Sequence, residues 1–160
     1  MSDQKNFFFN VGDQQNFFNL LKYSNELEIN NKYLYKENPE AFDILLKFLI
    51  RIQDNLHYSK KQEYTELAKD FLADQITADD FSYSFVIIYE GIFEKLGQMK
   101  IKESLELANF LKSSRPKLRK LLALIYGSCN NFNPDPDITM VNKQELKDCA
   151  QILLVELQKE

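Results

Sequence analysis

The sequence is poor in the residues that build turns, disulfides and catalytic sites. Its 160 residues include no Trp, 1 His, 2 Cys, 4 Gly and 4 Pro. So little glycine and proline leaves few tight turns for an all-β fold and favours helices. Two cysteines are too few for a disulfide framework, and Cys129 and Cys149 fall on apolar faces of predicted helices, where free thiols act as small hydrophobes.

Long apolar runs are also missing. No stretch approaches the 18 residues of a membrane span, and the first residues, MSDQKNFFFNVGDQQ, lack the pattern of a signal peptide. We therefore expect a cytoplasmic chain with reduced thiols. Its length predicts one packed domain, with residues 1–58 as an N-terminal helical extension and residues 59–160 as a bundle.

Enzyme chemistry finds little support in the sequence. The single histidine, His57, stands beside Tyr58 and Ser59 at a predicted helix end, where a surface or capping role is expected. Glu90 and Glu94 share a helix, but a di-metal bundle also needs Glu-x-x-His pairs, which the sequence lacks. The glycines are scattered and form no phosphate loop. The sequence predicts no catalysis, no metal and no cofactor.

Apolar residues recur at helical spacing through most of the chain. The pattern predicts an all-α antiparallel bundle, with a four-helix core over residues 60–158 and additional N-terminal helices. Helices are expected over residues 13–28, 39–56, 60–74, 78–97, 102–112 and from 116 and 142 onward. The helix over residues 78–97 is expected to form a hairpin with the helix over residues 60–74, because Thr77 between them is a good N-cap followed by Asp79 and Asp80. In the second helix the expected buried stripe is Phe42, Leu45, Leu46, Leu49 and Ile52, widened by Phe48 and Ile50.

Charge is distributed unevenly along the chain. Residues 61–97 carry 3 Lys/Arg and 8 Asp/Glu, residues 98–132 carry 7 and 2, and residues 133–160 carry 3 and 6. Such charges are commonly solvated helix faces, and opposite signs also attract within a fold. An acidic surface that meets a basic partner is the sharper interpretation.

A basic cluster begins where the helix at Pro116 starts. It comprises Lys112, Arg115, Lys117, Arg119 and Lys120. These side chains suit phosphate contacts, but the net charge of −4 opposes attraction to nucleic acid. A nucleic-acid-binding regulator is therefore the third and weakest hypothesis.

Two segments resemble a known family. Residues 67–82, LAKDFLADQITADDFS, and residues 131–138, NFNPDPDI, are similar in order and setting to segments of the colicin D immunity family. The resemblance covers residues 64–157, with extra chain near residues 98–114, and leaves the first 60 residues uncovered. It implies a small helical bundle that occupies the basic active site of a tRNA-cleaving toxin.

The resemblance also implies which residues contact the toxin. Asp135 matches a toxin-facing carboxylate, Asp137 matches the next acid of the loop, and Phe132 and Pro134 would shape that loop. Asn130 stands where the family has an acid, and an amide forms hydrogen bonds without neutralising a cation. The acidic hairpin adds Glu90 and Glu94 to the expected toxin-binding residues.

Two alternatives remain open beside the toxin inhibitor. One is a helical protein–protein interaction module unrelated to toxins, homodimeric through its Phe-rich N-terminal helices. The other alternative is that residues 133–137, which include two prolines, form a rigid connector between two helices and have no binding role.

Overall fold

The computed structural model of the chain describes residues 7, 10, 13–97, 105–133, 135 and 141–159. These residues form helices and no strand, which confirms the all-α prediction. Seven α-helices are described: α1 (Gln14–Ile29), α2 (Leu34–Glu37), α3 (Pro39–Ser59), α4 (Lys61–Leu72), α5 (Ala78–Gly97), α6 (Pro116–Asn130) and α7 (Lys143–Gln158), with a 3₁₀ turn at Ala108–Phe110. None of the helices in these ranges is both long and apolar enough to cross a membrane.

Local capping sets the helix starts that the sequence predicts. The Asp13 carboxylate accepts a hydrogen bond from the backbone N–H of Asn16, and Asn38 does the same for the N–H of Ala41. Asn142 caps α7 by accepting from the N–H of Glu145 at 2.9 Å. Pro116 is the first residue of α6, where its missing N–H costs nothing.

The chain divides into two compact units, Met1–Asn55 with Leu96–Ser114, and Leu56–Lys95 with Arg115–Glu160. We call them the N-terminal unit and the four-helix unit. The N-terminal unit thus takes in a later segment, residues 96–114, that the sequence analysis assigned to the bundle. The predicted division at residue 58 stays a prediction for how the chain is organised in solution.

The N-terminal unit packs α1 against α3. Phe17 is fully buried and its ring centre lies 5.7 Å from that of Phe48. The buried face of α3 is Ala41, Leu45, Phe48 and Ile52. The predicted stripe was wrong at Leu46 and Ile50, which are exposed. The apolar residues of α3 lie on most sides of the helix, so their spacing alone does not determine which face packs inward.

The four-helix unit is built around aromatic contacts between α4, α5 and α6. Ring centres lie 4.6 Å apart for Phe71 and Phe81 and 5.4 Å apart for Tyr64 and Phe85. The later α4 residue, Phe71, contacts the earlier α5 residue, Phe81, and the earlier α4 residue, Tyr64, contacts Phe85. The two helices are therefore antiparallel. Helix α7 packs against α4 and α6 and contributes an apolar stripe to the core: Leu146, Ala150, Leu153, Leu154 and Leu157.

Candidate partner-binding surface

The segment between α6 and α7 begins with a short backbone clasp. Phe132 and Val141 form an isolated parallel bridge: the N–H of Asn133 donates to the carbonyl of Val141 at 3.0 Å, and the N–H of Val141 donates to the carbonyl of Asn131 at 3.1 Å. Phe132 is half-buried against the four-helix core. The two ends of this segment are therefore held together by the fold.

Asp135 lies on the exposed part of this segment. Its backbone N–H donates to the side-chain oxygen of Asn133 at 2.9 Å, a turn in which an Asn side chain replaces a backbone carbonyl. This bond ties Asp135 to the clasped end of the segment. Asp137 and Pro134, which the resemblance also placed here, lie outside the described residues.

Two other predicted site residues meet at one tyrosine. The hydroxyl of Tyr126 donates to the Glu90 carboxylate at 2.5 Å and also takes part in a hydrogen bond with the side chain of Asn130. The carboxylate raises the pKa of Tyr126, because it stabilises the protonated hydroxyl. The Tyr126 ring stacks on Tyr89 at 4.4 Å. Glu90 on α5 and Asn130 on α6 are both exposed. Their shared hydrogen-bond partner, Tyr126, fixes their positions relative to each other.

Glu94 extends this acidic surface by one turn of α5. It is exposed, four residues beyond Glu90 and therefore on a neighbouring position of the same helix side. The structure therefore brings Glu90, Glu94 and Asn130 onto one exposed surface of the α5–α6 pair.

A cleft of about 770 Å³ opens beside the clasped segment. Its walls are the turn between α4 and α5, the start of α5, the residues around Phe132 and the start of α7. The lining residues used below are Asp74, Asp79, Asp80, Phe132, Asn133 and Lys143. Phe132 and Asn133, which precede Asp135, thus line a common space with the acidic start of α5.

Reciprocal capping fixes the acids at the start of α5. The N–H of Asp80 donates to the hydroxyl of Thr77 at 3.1 Å, and the N–H of Thr77 donates to the Asp80 carboxylate at 3.2 Å. This is the capping box, with Asp in place of the usual Glu. Asp79 beside it forms no ion pair with another described residue, and the helix dipole favours its negative charge.

Asp74 in the same cleft is used inside the fold. Its carboxylate lies 2.6 Å from the Lys147 ammonium and 3.7 Å from that of Lys143. The hydrogen bond from Lys147 lowers the pKa of Asp74, and the charges of both lysines act in the same direction. Lys147 also donates to the carbonyl of Phe71 at 2.6 Å. For this acid, attraction within the fold is the correct interpretation of the charge pattern.

His57 is not the surface or capping residue that the sequence suggested. It is 2% exposed, its Nδ1 lies 3.0 Å from the Tyr64 hydroxyl, and its ring stacks on Tyr89 at 4.9 Å. Its Nε2 is buried and makes no hydrogen bond to any residue that the structure describes. Burial lowers the pKa of His57 to about 4, because the charged imidazolium loses its hydration. The histidine is therefore a neutral core residue at pH 7.

In the basic cluster at the start of α6, Arg115 is engaged by the fold. The guanidinium carbon of Arg115 lies 3.4 Å from the ring centre of Tyr58, a close cation–π contact.

The two cysteines are free, with Cys129 buried and Cys149 half-buried. Burial raises the pKa of Cys129 to about 12, so its thiol stays protonated. Within the described ranges, no group of His, Cys, Asp or Glu could hold a metal ion.

Comparison of the chain with known protein families, curated proteins and solved structures finds no match. The likeness to the colicin D immunity family therefore rests on the two sequence segments given above.

Sequence analysis missed two parts of this surface. It did not identify Tyr126 as a site residue, although its hydroxyl joins Glu90 to Asn130. It treated Asp79 and Asp80 as helix-start residues, although both also line the cleft. The signal for the second was present, since the sequence Thr-Ala-Asp-Asp places two carboxylates in one exposed first turn.

Proposed function

We propose that this chain is a cytoplasmic immunity protein that binds a basic nuclease domain, of the tRNA-cleaving toxin type, and blocks its active site with acidic side chains. The observation that carries the proposal is the acidic edge of the four-helix unit. We define the acidic edge as the exposed carboxylates of Asp79, Glu90, Glu94 and Asp135. Asp79, Glu90 and Glu94 lie on α5, and Asp135 lies on the clasped segment.

The acidic edge suits a site that evolved to bind a polyanion. A nuclease cleft presents cations spaced for phosphates, and carboxylates on a rigid surface meet the same cations. Close charge pairs across such an interface contribute several kcal/mol in favourable cases and speed the encounter of the partners.

Rigidity is the second physical support. The hydroxyl of Tyr126 fixes Glu90, the bridge between Phe132 and Val141 closes the segment that carries Asp135, and the capping box sets the turn beside Asp79. Side chains that are already ordered lose less entropy on binding, so more of the electrostatic attraction is retained as affinity.

The position of His57 favours binding over catalysis. A general base needs a pKa near the working pH and access to a substrate proton. His57 is buried, and burial lowers its pKa to about 4. The sequence contains no other histidine. We therefore propose a binding protein without cofactor, metal or catalytic residues.

The double charge reversal Glu94→Lys with Asp135→Lys tests the proposal. Against the C-terminal domain encoded by the neighbouring open reading frame, we expect affinity to fall about 150-fold or more. Each of the two lost close pairs removes at least about 1.5 kcal/mol, which is roughly a factor of ten, and each new lysine repels the cleft. Calorimetric titration and inhibition of tRNA cleavage measure the effect.

The matched control is Glu37→Lys with Asp43→Lys, which changes net charge equally at exposed positions of α2 and α3. We expect the control variant to inhibit like the wild type. Full inhibition by the Glu94/Asp135 variant, with its helical content intact, would show that the acidic edge is not the inhibitory surface.

The second hypothesis, a homodimeric interaction module, is favoured by one observation. Ile29, Tyr33 and Tyr35 are exposed in the N-terminal unit, and the two tyrosine rings stack on each other at 5.7 Å. Within the Phe-rich N-terminal helices that the hypothesis invokes, Phe17 is fully buried in its own unit. A dimer seen by sedimentation and abolished by Tyr33→Ser with Tyr35→Ser would favour this hypothesis over the inhibitor.

A further inference from the structure

Helix α5 has an outer face that its own unit does not cover. Its inward residues are Phe81, Phe85, Tyr89 and Ile92, all buried. On the opposite side Tyr83 is 70% exposed and Ile87 is 52% exposed. Residues four apart are neighbours on a helix surface, so these two side chains form one apolar patch.

The rim of this patch is acidic. Asp79 and Asp80 lie one turn before Tyr83, and Glu90 and Glu94 lie within two turns after Ile87. In α5 the basic residue, Lys95, comes at the end of the helix. An apolar centre with a charged rim is the arrangement of a protein-binding surface rather than of an ordinary solvated helix face.

A glycine beside the patch adds to this arrangement. Gly91 lies four residues beyond Ile87 in the interior of α5, where glycine costs roughly 1 kcal/mol relative to alanine. A Cβ at this position would meet no atom within 4 Å. The fold of this chain therefore does not require glycine here, whereas the missing side chain lets a partner's backbone approach closely.

We propose that Tyr83 and Ile87 anchor a basic amphipathic helix of the partner protein, which lies along the outer face of α5. The inference rests on the proposed function for its partner, a protein with a basic surface, and it adds the apolar anchors and the shape of the bound segment. Apolar side chains of the partner helix cover Tyr83 and Ile87 while its flanking Lys or Arg residues pair with Asp80, Glu90 and Glu94.

The charge of the rim selects this occupant over a second copy of the chain. Two α5 outer faces brought together would set Asp79, Asp80, Glu90 and Glu94 against the same four acids. Like charges placed opposite each other cost several kcal/mol at an interface. A basic segment neutralises all of them.

The test uses a synthetic helix of about 18 residues, long enough to be helical when bound, with a Leu stripe flanked by Lys. NMR titration of the full chain should give shift changes centred on Tyr83 and Ile87. The variant Tyr83→Ser with Ile87→Ser should weaken binding at least tenfold. Leu124→Ser removes a side chain of similar exposure, 64%, from α6 and should leave binding unchanged. A version of the peptide with Glu in place of Lys should not bind.

Equal loss in the Leu124→Ser variant, or equal binding of the Glu peptide, would overturn the proposal, as would a dimer in sedimentation that the Tyr83/Ile87 variant abolishes. The result is separable from the proposed function. If the Tyr83/Ile87 variant binds the Lys peptide like the wild type while the chain still inhibits a nuclease, only the anchor is wrong. If the peptide binds as expected but no nuclease is inhibited, the anchor stands and the inhibitor proposal fails.

Discussion

Replacing Phe85 by Ala should lower the free energy of unfolding by about 3–5 kcal/mol, the range for aromatic truncation in a packed core. Phe85 is fully buried, and its ring lies 5.4 Å from Tyr64, 6.0 Å from Phe81 and 6.2 Å from Tyr89. Removing the ring loses its own burial and takes one aromatic contact away from each of those three rings at the centre of the α4–α5 pair. Urea unfolding at pH 7, followed by circular dichroism, measures the loss.

The matched control for Phe85→Ala is Tyr83→Ala, two residues away on the same helix. Tyr83 is exposed, so its truncation should change the free energy of unfolding by about 0.5 kcal/mol or less. Similar losses in the two variants would mean that α5 does not turn Phe85 inward, and the whole assignment of inner and outer faces would be wrong.

The wild-type protein should lose about 3 kcal/mol of stability between pH 7 and pH 4 through His57 alone. The folded pKa is about 4 and the ordinary value is 6.5, and each pKa unit corresponds to about 1.4 kcal/mol. Because the folded pKa is depressed, the unfolded chain binds the proton first as pH falls. The stabilisation is thus complete above pH 6.5 and is lost progressively from pH 6.5 towards pH 4.

The double variant His57→Phe with Tyr64→Phe isolates this effect. It keeps an aromatic ring against Tyr89 and removes both partners of the 3.0 Å hydrogen bond, so no buried polar atom is left unpaired. Carboxylates titrate alike in both proteins, so the difference between the two unfolding curves reports the histidine. Parallel losses of stability from pH 7 to pH 4 would contradict a buried, neutral His57.

Sequence patterns predicted the helices well because the local signals were strong. Asp13, Asn38, Thr77 and Asn142 cap four of the predicted helices. Each cap is a contact between residues three apart, so the sequence predicts it without any knowledge of the fold. The heptad-like stripe of α7 is equally local.

The inward face of α3 was harder to predict, since leucines and isoleucines surround that helix. Ala41 is part of the buried face, and Leu46 is not. A small residue suits a close contact between helices, whereas hydrophobicity alone ranks leucine first. Which side packs inward depends on partner elements, which spacing within one helix does not reveal.

The candidate surface could be predicted only in part. The acids of the hairpin and of the segment after α6 are visible in the sequence, but the meeting of Glu90 and Asn130 at Tyr126 joins two separate helices. The burial of His57 likewise depends on Tyr64 and Tyr89, which fold back on it from α4 and α5. Such contacts arise from tertiary packing, so the sequence alone does not reveal that these residues meet or are buried.

Hydrogen–deuterium exchange of this chain, alone and mixed with the C-terminal domain encoded by the neighbouring open reading frame, tests the proposed inhibitor function most directly. Backbone amides in residues 78–94 and 131–135 should exchange more slowly in the mixture, because we propose that the partner covers the acidic edge and the outer face of α5. Slower exchange confined to residues 14–52, with α5 unchanged, would contradict the account.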